Sequence, residues 1–139
     1  VHSIDSTKEV HIGETGWASA SSGLYGSNGS KACDEYKEGV YYKKVRDWTN
    51  EKEISCFYFE AFNENWKDDK NEYGSENFFG VFTIDGQAKY ALWDLVDDGV
   101  FKGLKRGGNP IGKTYNGDKA ALMKDVKVPP TKLKLSSKN

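Results

Sequence analysis

The residues 12–19 read Ile12-Gly-Glu-Thr-Gly-Trp-Ala-Ser19, with the short apolar and β-branched run 10–12 leading into them. This segment carries a carboxylate, Glu14, to the end of a short strand. Gly13 and Gly16 flank it, and glycine lets backbone and ligand approach closely. The indole of Trp17 follows at once and offers a face for a sugar ring. A fixed acid beside a stacking surface suits chemistry on carbohydrates. A lone Glu at a strand end also caps the next turn, but the glycines and the Trp favour a site here.

A second segment has the same design: Ile54-Ser-Cys-Phe-Tyr-Phe-Glu-Ala-Phe-Asn-Glu-Asn-Trp-Lys67. Strict alternation along a strand places Glu60 and Phe62 on one face, with Phe59 and Ala61 on the other. An acid in so aromatic a strand needs a partner, because an unpaired buried carboxylate costs several kcal/mol. A structural ion pair is the plain alternative to a catalytic role for Glu60. Glu64 lies just past the strand, and Lys67 is close enough in sequence to hold its carboxylate ionised by lowering its pKa. Asn63 bonds a sugar hydroxyl or simply closes the turn. Phe62, Trp66 and Trp17 form the candidate stacking platform.

Other chemistries find little support. His2 and His11 are too few and badly spaced for a metal site, so neither a metal nor a cofactor is expected. The Ser-rich stretch 19–22 lacks a paired His and acid, and no phosphate-cradling glycine loop is present. Lys plus Arg number 20 against 21 Asp plus Glu, a net charge of −1, which gives no reason to expect a nucleic-acid partner. No apolar run approaches the roughly 20 residues of a membrane span. The opening Val1-His2-Ser3 has no Met and no signal-peptide pattern, as expected of a processed, truncated or partly observed chain. Asn28-Gly29-Ser30 is a glycosylation sequon in a Gly/Ser loop. Cys33 and Cys56 are placed at opposite ends of a helix–strand pair, beyond the roughly 7 Å reach of a disulfide, and are expected to remain unbonded to each other.

The elements that must position these acids follow from pattern. Residues 8–13 read as a short buried strand and 19–30 as a loop. Residues 30–48 read as a helix capped by Ser30, with Tyr36, Val40, Tyr41, Val45 and Trp48 at helical spacing. Gly39 weakens its middle by about 1 kcal/mol relative to Ala. Residues 54–62 form a second, nearly continuous apolar strand of the kind covered on both faces. A polar loop occupies 63–76, and an extended stretch 77–84 closes at the Asp85-Gly86 turn. A helix is expected over 88–97, burying Tyr90, Leu92, Trp93 and Val96, with Gly99 after its end. Strand, helix, strand, loop, helix makes two βα units with right-handed crossovers. Beyond residue 101 come a loop at 107–110, a turn at 115–118, a short strand or helical turn within 120–128, and a Lys/Ser/Thr tail after Pro129-Pro130.

At these motifs the chain resembles the C-terminal part of the family 17 glycoside hydrolases, the β-1,3-glucanases and their glucanosyltransferase relatives. Gly13-Glu-Thr-Gly-Trp-Ala-Ser19 resembles the family's strand-seven motif, and Phe59-Glu-Ala-Phe-Asn-Glu-Asn-Trp-Lys67 its strand-eight motif. Glu76-Asn-Phe-Phe-Gly-Val-Phe82, with Gly86, Lys89 and Tyr90, resembles the stretch before the last barrel helix. The resemblance spans roughly residues 8–93, and Ala18 stands where the family usually has Pro. It implies that Glu14 is the nucleophile of a retaining mechanism, with Glu64 and Lys67 orienting and tuning it. It further implies that Trp17 and Phe62 line a sugar subsite, and with Asn63, Glu60 and Trp66 they are the residues expected to meet the substrate, a β-glucan polysaccharide.

The implied fold is α/β: the βα units of strands seven and eight of a TIM (β/α)₈ barrel. Such a barrel takes about 250 residues, more than this chain has, and two strands alone would leave apolar faces and edges in water. Residues 1–98 are therefore expected to be part of a barrel, and 99–139 an irregular extension and tail. The general acid, which the family places after strand four, must come from elsewhere. The rest of a barrel, or other copies of this chain, are the expected partners, in a secreted or cell-wall setting. A structural or self-assembling protein without catalysis, or a glucan-binding module, is the alternative.

Overall fold

The computed structural model describes residue 1, residues 3–21 and residues 31–128. Its centre is a βαβ unit. Strand β1 (His11–Thr15) leads to helix α1 (Glu35–Glu51), which returns the chain to strand β2 (Ser55–Tyr58). The two strands are parallel, pairing His11 with Ser55, Ile12 with Cys56 and Thr15 with Tyr58. A parallel pair requires such a crossover, because the chain must travel back before it can run the same way again.

Helix α1 starts later than its apolar spacing suggests. Asp34, not Ser30, is the cap: its carboxylate accepts the Lys37 backbone N–H at 2.9 Å. Glu35 and Glu38 in the first turn favour the positive end of the helix dipole. Ser30 and the loop 22–30 lie outside the described residues, as does the Asn28 sequon. The helix ends at Glu51, and the chain turns at Glu53 (φ 52) with the Ile54 N–H bonded to Thr49 O at 2.9 Å. The buried helix positions are Glu38, Gly39 and Thr49, whereas Trp48 is 47% exposed. The expected aromatic stripe thus lies to one side of the actual buried face. Gly39 has a packing reason: a Cβ there would sit 2.6 Å from the Tyr90 ring and 3.0 Å from Ala91 N.

The strands also differ from their expected limits. β1 is shifted to residues 11–15, the ones that find partners on β2. β2 ends at Tyr58 rather than at 62, after which the Phe59–Glu60 peptide is cis. The chain then leaves β1 and pairs with residues 79–82 instead. Glu60 N bonds Phe79 O at 3.2 Å, Val81 N bonds Glu60 O at 2.9 Å, and Asn63 N bonds Phe82 O at 3.0 Å. Residues 54–62 are therefore not one strand, and strand alternation does not govern Glu60 and Phe62. Within 77–84, the first residue closes a 3₁₀ turn (Ser75–Asn77), and only the later ones are extended.

The helix expected over 88–97 divides into a 3₁₀ turn, Tyr90–Leu92, and helix α2, Trp93–Asp97. Ala88 is a bridge residue, bonded on both sides to the segment 112–114: its N–H to Gly112 O at 2.7 Å, its carbonyl to Thr114 N–H at 2.9 Å. Gly99 (φ 76) follows α2 as its spacing predicts.

Residues 99–128, expected as an irregular extension, contain short regular elements. A hairpin joins β3 (Lys105–Arg106) to β4 (Asn109–Pro110) through Gly107 and Gly108, both at positive φ. Helix α3 (Lys119–Lys124) is capped by Asp118, whose carboxylate accepts the N–H groups of Ala120 and Ala121. Phe101 and Ile111 pack on the core of Val81, Ala88, Ala91 and Leu92. The tail 131–139 lies outside the described residues. Both cysteines are free, in accord with their predicted separation. Among the described residues, no helix is long and apolar enough to cross a membrane, and no group of His, Cys, Asp and Glu is arranged to hold a metal ion.

Candidate functional site

A β-bulge sets the direction of Glu14. From Ile12 to Thr15 strand β1 takes three steps, while β2 takes two from Cys56 to Tyr58. Cys56 and Tyr58 both face a cavity beside α1, so their partners Ile12 and Thr15 face α1 too. The Thr15 hydroxyl confirms this by meeting Tyr41 OH of α1 at 2.5 Å. Simple alternation would have put Thr15 on the opposite side from Ile12. The extra residue absorbs that half-turn, as bulges do where a side chain is re-aimed, and Gly13 and Glu14 are left exposed.

Close approach follows immediately. The Phe59 N–H bonds Thr15 O at 2.7 Å, and a Cβ on Gly16 would lie 2.0 Å from Phe59 O. Because β1 and β2 are parallel, Glu14 and the segment 59–67 lie at the same, C-terminal, end of the pair.

Three charged groups define that end. Lys67 Nζ lies 2.8 Å from Glu60 Oε2 and 2.5 Å from Glu64 Oε2, and 4.0 Å from the centre of the Phe59 ring. The other oxygen of Glu60 is buried without a hydrogen-bond partner among the described residues. Burial raises the Glu60 carboxyl above its ordinary range against the pull of Lys67. The hydrogen bond from Lys67, and then contact with Glu60, hold Glu64 below that range. Burial draws Lys67 down, but its bonds to the two carboxylates outweigh this and leave it raised. Burial and the shared lysine thus push the two neighbouring carboxyls in opposite directions, Glu60 up and Glu64 down.

Behind them lies a buried hub that the sequence reading missed. Lys89 Nζ donates to Ser19 Oγ (2.7 Å), Asn63 Oδ1 (2.9 Å), Glu38 Oε1 (3.2 Å) and Phe78 O (3.3 Å). It ties the segment after Glu14, the segment before Glu64, and helix α1 to one point. Asn63 therefore points its oxygen inward to Lys89. No local signal marked it, because the partners of Lys89 lie 11 to 70 residues away in sequence.

The aromatic candidates separate. Trp17 is half-buried, its indole N–H donates to Ala32 O at 3.0 Å, and its ring lies 5.3 Å from Tyr41. Phe62 stacks on Phe82 at 5.1 Å and is covered by the Arg106 guanidinium at 3.7 Å. Trp66 is 67% exposed. Glu60, Phe62, Asn63, Glu64, Trp66 and Arg106 border one open cavity of about 390 Å³.

The chain is similar to several known proteins. Residues 5–93 match the family model described as glycosyl hydrolases family 17. A glucan 1,3-beta-glucosidase of Arthroderma benhamiae is 36% identical over 92 residues, which are 61% of this chain and 28% of that protein. Among solved structures, an endo-laminarinase from Formosa Hel1_33_131 superposes with a TM-score of 0.84 at 66% identity, over 92% of this chain and 33% of that one. An active-site mutant of Rhizomucor miehei beta-1,3-glucanosyltransferase in complex with laminaritriose gives a TM-score of 0.47 at 30% identity, over 60% of this chain and 28% of that one. The chain spans about a third or less of the length of these relatives.

Proposed function

This chain belongs to family 17 of the glycosyl hydrolases, and on that footing we propose that it carries the nucleophile of a retaining β-1,3-glucan hydrolase or transglycosylase. In this reading β1 and β2 are strands seven and eight of a (β/α)₈ barrel. The Glu14 carboxylate attacks the anomeric carbon as the glycosidic bond breaks. The departing sugar oxygen takes a proton from a second carboxyl roughly 5 Å from Glu14, the spacing of retaining enzymes. That acid comes from the part of the barrel outside these residues. Water, or a hydroxyl of another glucan chain, then gives its proton to the same group and releases the sugar from Glu14.

Glu64, whose carboxyl Lys67 holds below its ordinary range, orients and tunes Glu14 in this reading. Glu60 and Trp66 contact the sugar, and Trp17 and Asn63 shape the walls. The substrate expected from the named relatives is a β-1,3-glucan. A glycosylated Asn28 and a polysaccharide substrate fit a secreted or cell-wall setting.

One observation carries the proposal: the bulge leaves Glu14 exposed at the C-terminal end of the strand pair, the same end from which the segment bearing Glu60, Glu64 and Lys67 emerges. The test is laminarin turnover by the complete protein and its Glu14→Gln variant. Loss of activity by roughly 10⁴-fold or more is expected, as for other removed nucleophiles. Wild-type protein with no turnover would leave a non-catalytic structural or glucan-binding role in its place, and a variant that keeps turnover would remove Glu14 as the nucleophile.

A further inference from the structure

Family 17 is matched over residues 5–93, yet a side chain from beyond that stretch reaches the same cavity. Arg106 closes β3, at the start of the Gly107-Gly108 turn. Its Nε donates to Ile84 O at 2.8 Å, and its guanidinium lies 3.7 Å from the centre of the Phe62 ring. Gly86, at φ 90, makes room for the stem, since a Cβ there would lie 2.6 Å from Arg106 Cβ. These contacts fix the plane of the guanidinium over the cavity shared with Glu60, Glu64 and Trp66.

The guanidinium has five N–H donors, and the bond to Ile84 uses one. Two carboxylates are close by in the same cavity, but Lys67 already pairs with both. Arg106 forms no ion pair among the described residues. Its outer N–H groups are therefore free to serve a ligand.

We propose that Arg106 is a glucan-binding residue, supplied by the C-terminal hairpin, that grips adjacent sugar hydroxyls in the subsite bordered by Glu64 and Trp66. A planar fork of donors matches neighbouring hydroxyl oxygens. The two carboxylates accept hydrogen bonds from sugar hydroxyls, and Trp66 offers its ring to the apolar face of the sugar. This assignment rests on the reading of the chain as part of a β-1,3-glucan-acting protein.

The experiment separates the two claims. Laminaritriose binding is measured by calorimetry on the complete protein carrying Glu14→Gln, so that turnover plays no part. Arg106→Met keeps the stem over Phe62 and removes the donors, and Arg106→Lys keeps the charge and removes the fork. Melting temperatures check that both variants fold. Binding weakened about tenfold by Arg106→Met, and less by Arg106→Lys, is the expected result for lost hydrogen bonds. Unchanged affinity in either variant that keeps its melting temperature overturns the role of Arg106. Failure of the complete protein with Glu14 intact to turn over laminarin sinks the proposed reaction instead.

Discussion

The ammonium of Lys89 lies 3.2 Å from a carboxylate oxygen of Glu38, and the two residues are 2% and 0% exposed. Burial pushes the Glu38 carboxyl well above its ordinary range and pulls Lys89 below its own, each resisted by the attraction of the other. The second oxygen of Glu38 has no hydrogen-bond partner among the described residues. Such a pair adds little net stability over an apolar replacement, but breaking it leaves a buried charge alone. Its value here is geometric, because the same ammonium also holds Ser19 and Asn63.

Removing both members should therefore cost less than the sum of removing each. In the complete protein, Lys89→Met and Glu38→Gln are each expected to lower stability by about 3–5 kcal/mol. Lys89→Met should be the worse, since it also strands Ser19, Asn63 and the Phe78 carbonyl. The double variant should fall short of the sum in denaturant titrations. Strict additivity would show that the two groups do not interact.

Lys67 should govern the acid side of the pH profile. It holds the Glu64 carboxyl below its ordinary range, so the ionised contact stabilises the fold above the unfolded carboxylate pKa. That contribution is lost as pH falls through the lowered folded value. Lys67→Met removes the cation, which favours the protonated acid. The acid limb of kcat/KM on laminarin should then move to higher pH. A profile that stays in place would remove Glu64 ionisation from the reaction.

Glycine at 16 and 80 is a requirement of close backbone approach. A Cβ at Gly80 would lie 2.1 Å from Asn63 N, and one at Gly16 would lie 2.0 Å from Phe59 O. Alanine at either site should destabilise by at least about 1–3 kcal/mol, the usual cost of overpacking. Alanine at Gly13, where a Cβ meets nothing within 4 Å, should change stability by no more than about 0.5 kcal/mol. Three melting curves test the contrast, and equal shifts would contradict it.

Phe57 lies on β2 with 68% of its surface exposed. In the proposed barrel that face of the sheet is covered by the remaining strands. The 139-residue chain on its own should thus associate, or unfold without a cooperative transition. Size-exclusion with light scattering gives the answer, and a stable monomer of 15.6 kDa would show that no covering partner is needed.

The residue types and their spacing were enough to place the two strands with a helix between them, to bring the family into view, and to single out Glu60, Glu64 and Lys67, which the fold brings together. Those signals are local: glycines beside an acid, an apolar run, a helical period. What the chain's order alone did not decide was where each strand stops. β2 ends at Tyr58 because residues 60–63 find hydrogen-bond partners in residues 79–82, a competition between segments distant in sequence. Nor could periodicity show that α1 buries Glu38 rather than Trp48, because the cation that makes this tolerable comes from Lys89, 51 residues away. The direction of Glu14 belongs to the tertiary structure as well. One added residue in β1, visible only against its partner strand, turns Thr15 to the helix and leaves the acid facing solvent.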